Sequence, residues 1–388
     1  MPAGKLIFSQ LTDWIHPEQF RRCVNRYAGN YKVCSFPCWD QFLAMTFAQL
    51  TSRESLADIE VCLRARSDQL YRMGFRAPVA HSTLADANRV RDWRIYADLA
   101  QLLIARARRL YAQDPLGVEL DQTVYAFDAT TIDLCLSLFP WARFRTTKAA
   151  IKLHTLLDLR GPIPTLIAIS DGKQAEVCEL DGLLLEPGAF YLLDRGYLDF
   201  QRLYRFVHAG AFFVTRTKIG VRFNRLASLA VDKSTGVRSD HLVRLTLQRS
   251  AEHYPDRLRR VSYKDPETGK VLVFLTNNFD LPPLIIAQLY KCRWQVELFF
   301  KWIKQNLRIK HFFGTTDNAV KTQVWIAICV YVLVAIVRKE LRLELSLSQI
   351  LQILSVNAFE QIPLAELVSK AQSQDNPTDS RNQLMLWN

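Results

Sequence analysis

The hydrophobic repeat of this chain changes period at Asp114-Pro115-Leu116-Gly117, and that change restricts the fold more than any other feature. Before it, over residues 39–110, apolar side chains such as Phe42, Met45 and Leu50 recur at helical spacing, which predicts a helical domain. Ser82 and Thr83 stand where an N-cap would open a helix running on through Arg91, Trp93 and Tyr96. After it, short β-rich runs at 123–127, 132–136, 153–159, 165–169 and 190–193 predict strands. An amphipathic helical stretch at 199–208 and a further strand at 211–217 complete an α/β pattern.

A chain of 388 residues is too long for one ordinary core, so several structural units are expected. With 49% hydrophobic and 11% aromatic residues it is rich enough in apolar surface to fold, and only the last twenty residues lack it. The formal net charge of +12 suits a polyanionic partner, and nucleic acid is the leading candidate. Between Arg216 and Asp280 there are thirteen Lys or Arg against seven Asp or Glu, with alternating segments at 242–247 and 259–263, which predicts a basic β-rich insertion. A long helix is then expected over 283–307, after the turn-like Asn277-Asn278-Phe279-Asp280.

Other classes recede. The eight cysteines lack the paired spacing of a zinc site and read as reduced thiols of a cytoplasmic protein. Trp14, His16 and Glu18 interrupt any signal-like run at the N-terminus. The apolar run 324–337 falls short of the ~20 residues of a membrane span, so it reads as a buried helix and no membrane partner is expected. Neither a nucleophile elbow nor a Walker loop is present.

The chemistry concentrates in Tyr290-Lys-Cys-Arg-Trp-Gln-Val-Glu-Leu-Phe-Phe-Lys-Trp-Ile-Lys304. On one helix, Tyr290, Arg293, Glu297, Lys301 and Lys304 fall within an arc of roughly 80°, while most other positions are apolar. An exposed i,i+4 ion-pair ladder would need a wider polar face, so the stripe is expected to line a crevice. A carboxylate among cations suits a hard metal ion beside a phosphodiester. Two-metal phosphoryl transfer needs further acidic ligands, and an α/β sheet offers them at the carboxyl ends of its strands. Asp128 follows 124–127 and Asp194 follows 190–193, with Gly196 permitting a close turn; Asp133 and Asp158 also lie in the sheet region, and position alone does not choose among them. Arg143, Arg145, Lys148, Lys152 and His154 form a basic stretch that could track a DNA backbone.

Tyr290, Arg293, Glu297 and Lys304, spaced by 3, 4 and 7, resemble the Y-R-E-K signature of DDE transposases of the insertion-sequence-four family. Phe127-Asp-Ala-Thr-Thr-Ile132 and Leu193-Asp-Arg-Gly-Tyr197 resemble the segments that hold that family's first two catalytic aspartates, and Ser82-Thr-Leu-Ala-Asp-Ala-Asn88 resembles a further family sequence. The resemblance implies an RNase H-like catalytic core interrupted by a β-rich insertion, with an N-terminal helical domain and C-terminal helices. The expected organisation is a DNA-binding helical domain at 1–115, the core at 116–215 and 281–340 around an insertion at 216–280, then C-terminal helices and a polar tail at 341–388.

By the same resemblance, Asp128, Asp194 and Glu297 would be the catalytic residues and the ligands of two Mg2+ ions, with Mn2+ able to substitute. Tyr290, Arg293 and Lys304 would contact phosphates of double-stranded transposon ends, and Lys301, Lys148 and Lys152 are added as DNA contacts. The implied reaction is cleavage at terminal inverted repeats and joining of 3′-hydroxyls to target DNA within a homodimer, whose interface the apolar run 324–337 and the helices after it could supply. A transposase-derived repressor and an RNase H-like nuclease are the competing readings. Related enzymes that pass through a hairpin stack a base on an aromatic residue of the insertion; with no Trp there, Phe223, Tyr254 and Tyr263 are the candidates.

Overall fold

A computed structural model describes residues 4–373 apart from 174, 308 and 310. The helices are α1 (Ile7–Thr12), α2 (Pro17–Arg26), α3 (Cys38–Leu50), α4 (Leu56–Arg64), α5 (Leu70–Met73), α6 (His81–Val90), α7 (Arg94–Tyr111), α8 (Phe200–His208), α9 (Gln248–His253), α10 (Pro283–Cys292), α11 (Trp294–Asn306), α12 (Asp317–Glu340), α13 (Leu347–Asn357) and α14 (Leu364–Ser373). The strands are β1 (Val124–Leu134), β2 (Arg143–Arg145), β3 (Lys148–Asp158), β4 (Ile163–Asp171), β5 (Phe190–Leu193), β6 (Phe212–Arg216), β7 (Phe223–Leu229), β8 (Val237–Leu245), β9 (Leu258–Lys264) and β10 (Val271–Thr276). They make two compact units, residues 1–110 with 302–388, and residues 111–301.

The first unit is helical and is built around α12. This helix is long and apolar enough to cross a membrane, yet 94% of its most apolar stretch is buried, against α1, α3, α6 and α13. The run 324–337 therefore forms the core of this unit, and its side chains are too covered to serve as a subunit interface. Nearly every residue of α3 is buried as well, including Gln41, whose amide donates to Asn88 and whose carbonyl accepts from Arg91. Pairing such groups removes the cost of burying them. The expected cap at Ser82 and Thr83 is displaced: α6 starts at His81 without a side-chain cap, and both hydroxyl residues are exposed in its first turn. The helix also stops earlier than expected, because Arg91 is extended at φ −77, ψ 135. Asn318 of α12 secures that break by donating to the carbonyls of Asn88 and Arg91.

The second unit is a ten-stranded sheet in the order β2-β3-β1-β5-β6-β10-β9-β8-β7, with β4 also on β3. β4, β3 and β1 run antiparallel, and β5 and β6 lie parallel to β1. With α8 crossing between β5 and β6, this is an RNase H-like arrangement of mixed α/β type. The strands of the basic segment continue the same sheet, β10 pairing antiparallel with β6 and the others following outward.

The pleat decides which side chains reach which face. Tyr125 and Phe127 of β1 and Tyr191 and Leu193 of β5 point into the core that α8 seals through Leu203 and Phe206. Asp128 and Asp194 therefore project from the opposite face, which α10 covers. Beneath the start of α10 lies a buried ion pair: Arg259 of β9 donates from Nε (2.9 Å) and Nη2 (2.6 Å) to Asp240 of β8. Its Nη1 also donates to the carbonyl of Leu281 at 2.6 Å, in the turn that leads into α10.

Candidate active site

Strand β1 is longer than the sequence pattern implied, so Asp128 lies in its middle rather than at its end. What ends at Phe127 is the parallel pairing with β5: Phe127 faces Leu193, and the next residues are Asp128 and Asp194. Beyond that point β1 continues only against β3, with Asp128 opposite Thr155. The two aspartates thus come together where one neighbour leaves the strand, a crevice of the kind α/β sheets use for ligands.

The expected single helix over 283–307 is broken at Arg293. The amide of Arg293 bonds to the carbonyl of Tyr290, and that of Val296 to the carbonyl of Arg293, so two three-residue turns replace regular helical ones. From this joint the Arg293 side chain crosses to the sheet. Its Nη1 donates to Asp128 Oδ2 at 2.9 Å and its Nη2 to Glu297 Oε1 at 2.5 Å. Tyr290 packs its ring on Phe274 and donates its hydroxyl to Asp194 Oδ1 at 3.4 Å, while the guanidinium of Arg293 lies 5.7 Å from the centre of that ring. Five residues singled out in the sequence, Asp128, Asp194, Tyr290, Arg293 and Glu297, are linked in one place.

The electrostatics follow from burial. Desolvation pushes Asp128 up to about 6, and Asp194 and Glu297 add to the shift, whereas the Ala129 amide and Arg293 oppose it. Tyr290 is pushed up to about 12, mainly by burial. Nε of Arg293 is buried without a hydrogen-bond partner. Three carboxylates with hard oxygen donors are the ligand chemistry of Mg2+ or Mn2+, and in that sense the residues fit the implied ions. Among the described residues no three His, Cys, Asp or Glu side chains stand close enough to hold one ion, and the guanidinium of Arg293 lies between two of the three candidates.

The remaining expected contacts divide. Lys301 is exposed on α11, and Lys304 lies on the part of that helix assigned to the other unit. The helix is less enclosed than expected, since Trp294 (57%) and Leu298 (48%) face solvent. In the basic stretch Arg143, Arg145 and Lys148 are exposed, but Lys152 is largely buried with Nζ 3.3 Å from Glu176. His154 is fully buried, its Nε2 on Ser170, so it is not a surface cation. Tyr254 is fully buried too and offers no face for a base; Phe223 and Tyr263 are half-buried.

Two residues escaped the sequence reading. Tyr197, edge-on to Phe127, has a buried hydroxyl without a partner, and burial with the nearby charges of Asp128, Glu176 and Asp194 pushes its pKa far up. Glu176 is the other. Its only signal was a Glu in the loop before β5, and nothing in spacing tied it to Lys152.

A family model described as "Transposase DDE domain" matches residues 119–333. The chain belongs to the DDE transposase family. A domain of unknown function matches residues 3–76. A putative transposase of Sinorhizobium fredii, y4zB, is 31% identical over 73% of this chain and 79% of its own length. A probable transposase for insertion sequence element IS5377 of Geobacillus stearothermophilus is 28% identical over 65% of this chain and 66% of its own. Among solved structures, a piggyBac transposase synaptic complex with hairpin DNA aligns over 97% of this chain and 82% of that chain, at TM-score 0.46 and 11% identity, too low to add to what the strand order shows.

Proposed function

We propose that this DDE transposase is catalytically competent: that it binds the terminal inverted repeats of a mobile element, cleaves the ends and joins their 3′-hydroxyls to target DNA. The observation that supports this most is the convergence of Asp128, Asp194 and Glu297 around Arg293 and Tyr290, on elements far apart in the chain. A decayed, purely DNA-binding descendant would have no reason to keep two carboxylates on one arginine and a third on the neighbouring tyrosine.

In this reading Asp128, Asp194 and Glu297 hold two divalent ions, Mg2+ or Mn2+, which when bound activate the attacking oxygen and stabilise the leaving one. Arg293 and Tyr290 orient the scissile phosphate; the planar fork of arginine grips phosphate oxygens in two places, which an ammonium does not. Lys301 and Lys304 extend the contact along the DNA backbone, and the exposed Arg143, Arg145 and Lys148 add a further basic edge. Two ends must be paired for the reaction, so the working form is a homodimer on double-stranded DNA, in the cytoplasm.

The test is strand cleavage of end-containing duplex DNA with Mg2+, comparing the wild type with Asp128→Ala, Asp194→Ala and Glu297→Gln. Each change should lower the rate by more than about a hundredfold without unfolding the protein. Normal cutting by all three variants would show that the site lies elsewhere.

A further inference from the structure

The guanidinium of Arg293 makes one hydrogen bond to each of two proposed metal ligands, Asp128 on the sheet and Glu297 on its own helix. That position is chemically suited to a cation and to little else, since the side chains of Asp128 and Glu297 are only 18% and 33% exposed. Two like charges brought to one guanidinium, the more covered of them Asp128, are stabilised by a positive neighbour. The fit is incomplete, because Nε remains buried with no acceptor. Arginine carries five N–H donors, and an unsatisfied buried one disfavours the arrangement that strands it. The residue also sits at the single break between α10 and α11, where the backbone is held by short turns in place of regular helical bonds.

We propose that Arg293 is a placeholder for metal: it neutralises Asp128 and Glu297 until divalent ions bind, and its release from those carboxylates is coupled to their binding. The inference rests on the reading of Asp128, Asp194 and Glu297 as metal ligands. Released, the guanidinium is free to take a phosphate oxygen on the donor now stranded at Nε. Metal loading and phosphate capture then become one exchange, and the apparent metal affinity of the free protein is reduced by the fraction of molecules in which Arg293 occupies the carboxylates.

The experiment is Mn2+ binding to the full-length, DNA-free protein, followed by the electron paramagnetic resonance of free Mn2+. Arg293→Gln and Arg293→Lys should each bind Mn2+ at least about tenfold more tightly than the wild type, and Asp194→Asn should lose the binding. Lysine keeps the charge but cannot span two carboxylates, so it separates exchange from simple repulsion. In the wild type, Mn2+ should also increase the modification of Arg293 by phenylglyoxal, read by mass spectrometry, which needs no variant to fold. Unchanged affinity in both Arg293 variants, with binding still lost in Asp194→Asn, would overturn the exchange and leave the metal site standing. A gain in Arg293→Gln alone, with no Mn2+-dependent modification in the wild type, would reduce the effect to charge and overturn it too. Binding that Asp194→Asn does not diminish would remove the metal site itself, and the placeholder with it.

Discussion

Phe127 and Leu193 lie opposite one another on neighbouring parallel strands, and this one pairing sets Asp128 beside Asp194. A shift of one residue in either strand would turn that strand's carboxylate into the apolar core beneath α8. The register of these two strands therefore decides whether the proposed site exists, and the aromatic packing of Phe127 on Tyr197, with Tyr125 on Tyr191, supports it.

Arg293→Lys should behave as a severe change despite keeping its charge. An ammonium cannot replace the two-point grip of a guanidinium on phosphate oxygens, so cleavage of end DNA should fall by more than about a hundredfold while the circular dichroism melt stays close to wild type. Near-normal turnover in the lysine variant would contradict the role given to this side chain.

The buried Asp240–Arg259 pair should matter more when half of it is removed than when all of it is. Asp240→Asn leaves a guanidinium that is 3% exposed without its counter-ion, a loss of about 3–5 kcal/mol in urea unfolding. The double variant Asp240→Leu with Arg259→Met should lose clearly less. Equal losses would contradict the view that the stranded charge, rather than the lost contact, sets the cost.

His154 gives stability an acid limb. Burial, with help from Lys152, lowers its pKa from 6.5 to about 4, so the folded state binds this proton less readily than the unfolded chain does. Stability should therefore rise with pH between about 4 and 6.5, by at most about 3 kcal/mol from this group, and be lost as pH falls through that window. His154→Gln, which can still hydrogen-bond Ser170, should flatten the rise. A wild-type profile as flat as the variant's would count against it.

Gly161 has a left-handed φ of +103°, and an added Cβ would stand 2.2 Å from the ring of Tyr111. Gly161→Ala should cost more than about 1 kcal/mol, and shortening Tyr111 to Leu in the same chain should recover little of it, because the contacts with Cγ at 2.4 Å and Cβ at 2.6 Å remain. The thermal melts of the single and double variants decide the point.

Much of this was legible in the residues. The strand at 190–193 and the helix opened by Asp199 were set by local pattern and by a side-chain cap, and both appear where they were expected. The joint at Arg293 was not, because periodicity runs through a one-residue break without noticing it. The continuity of the basic segment with the core sheet was equally hidden: strand pairing is a long-range choice, and nothing in Val271–Thr276 names Phe212–Arg216 as its neighbour. Tyr290, Arg293 and Glu297 could be grouped by spacing alone, whereas the burial of His154 against Ser170 and of Lys152 against Glu176 depended on partners distant in the chain.

The helical unit is assembled from both flanks of the sequence, with α12 as the centre against which α3 and α6 pack. On the ribosome, α3 and α6 emerge long before Asp317 is made, and at about 5–20 residues per second the wait between Val90 and Asp317 is roughly 10–45 s. Throughout that interval their apolar faces are uncovered, whereas residues 111–301 form an unbroken stretch that can fold as it is synthesised. Newly made protein should therefore lean on chaperones for its helical unit first, and stalled or truncated translation products should aggregate through it.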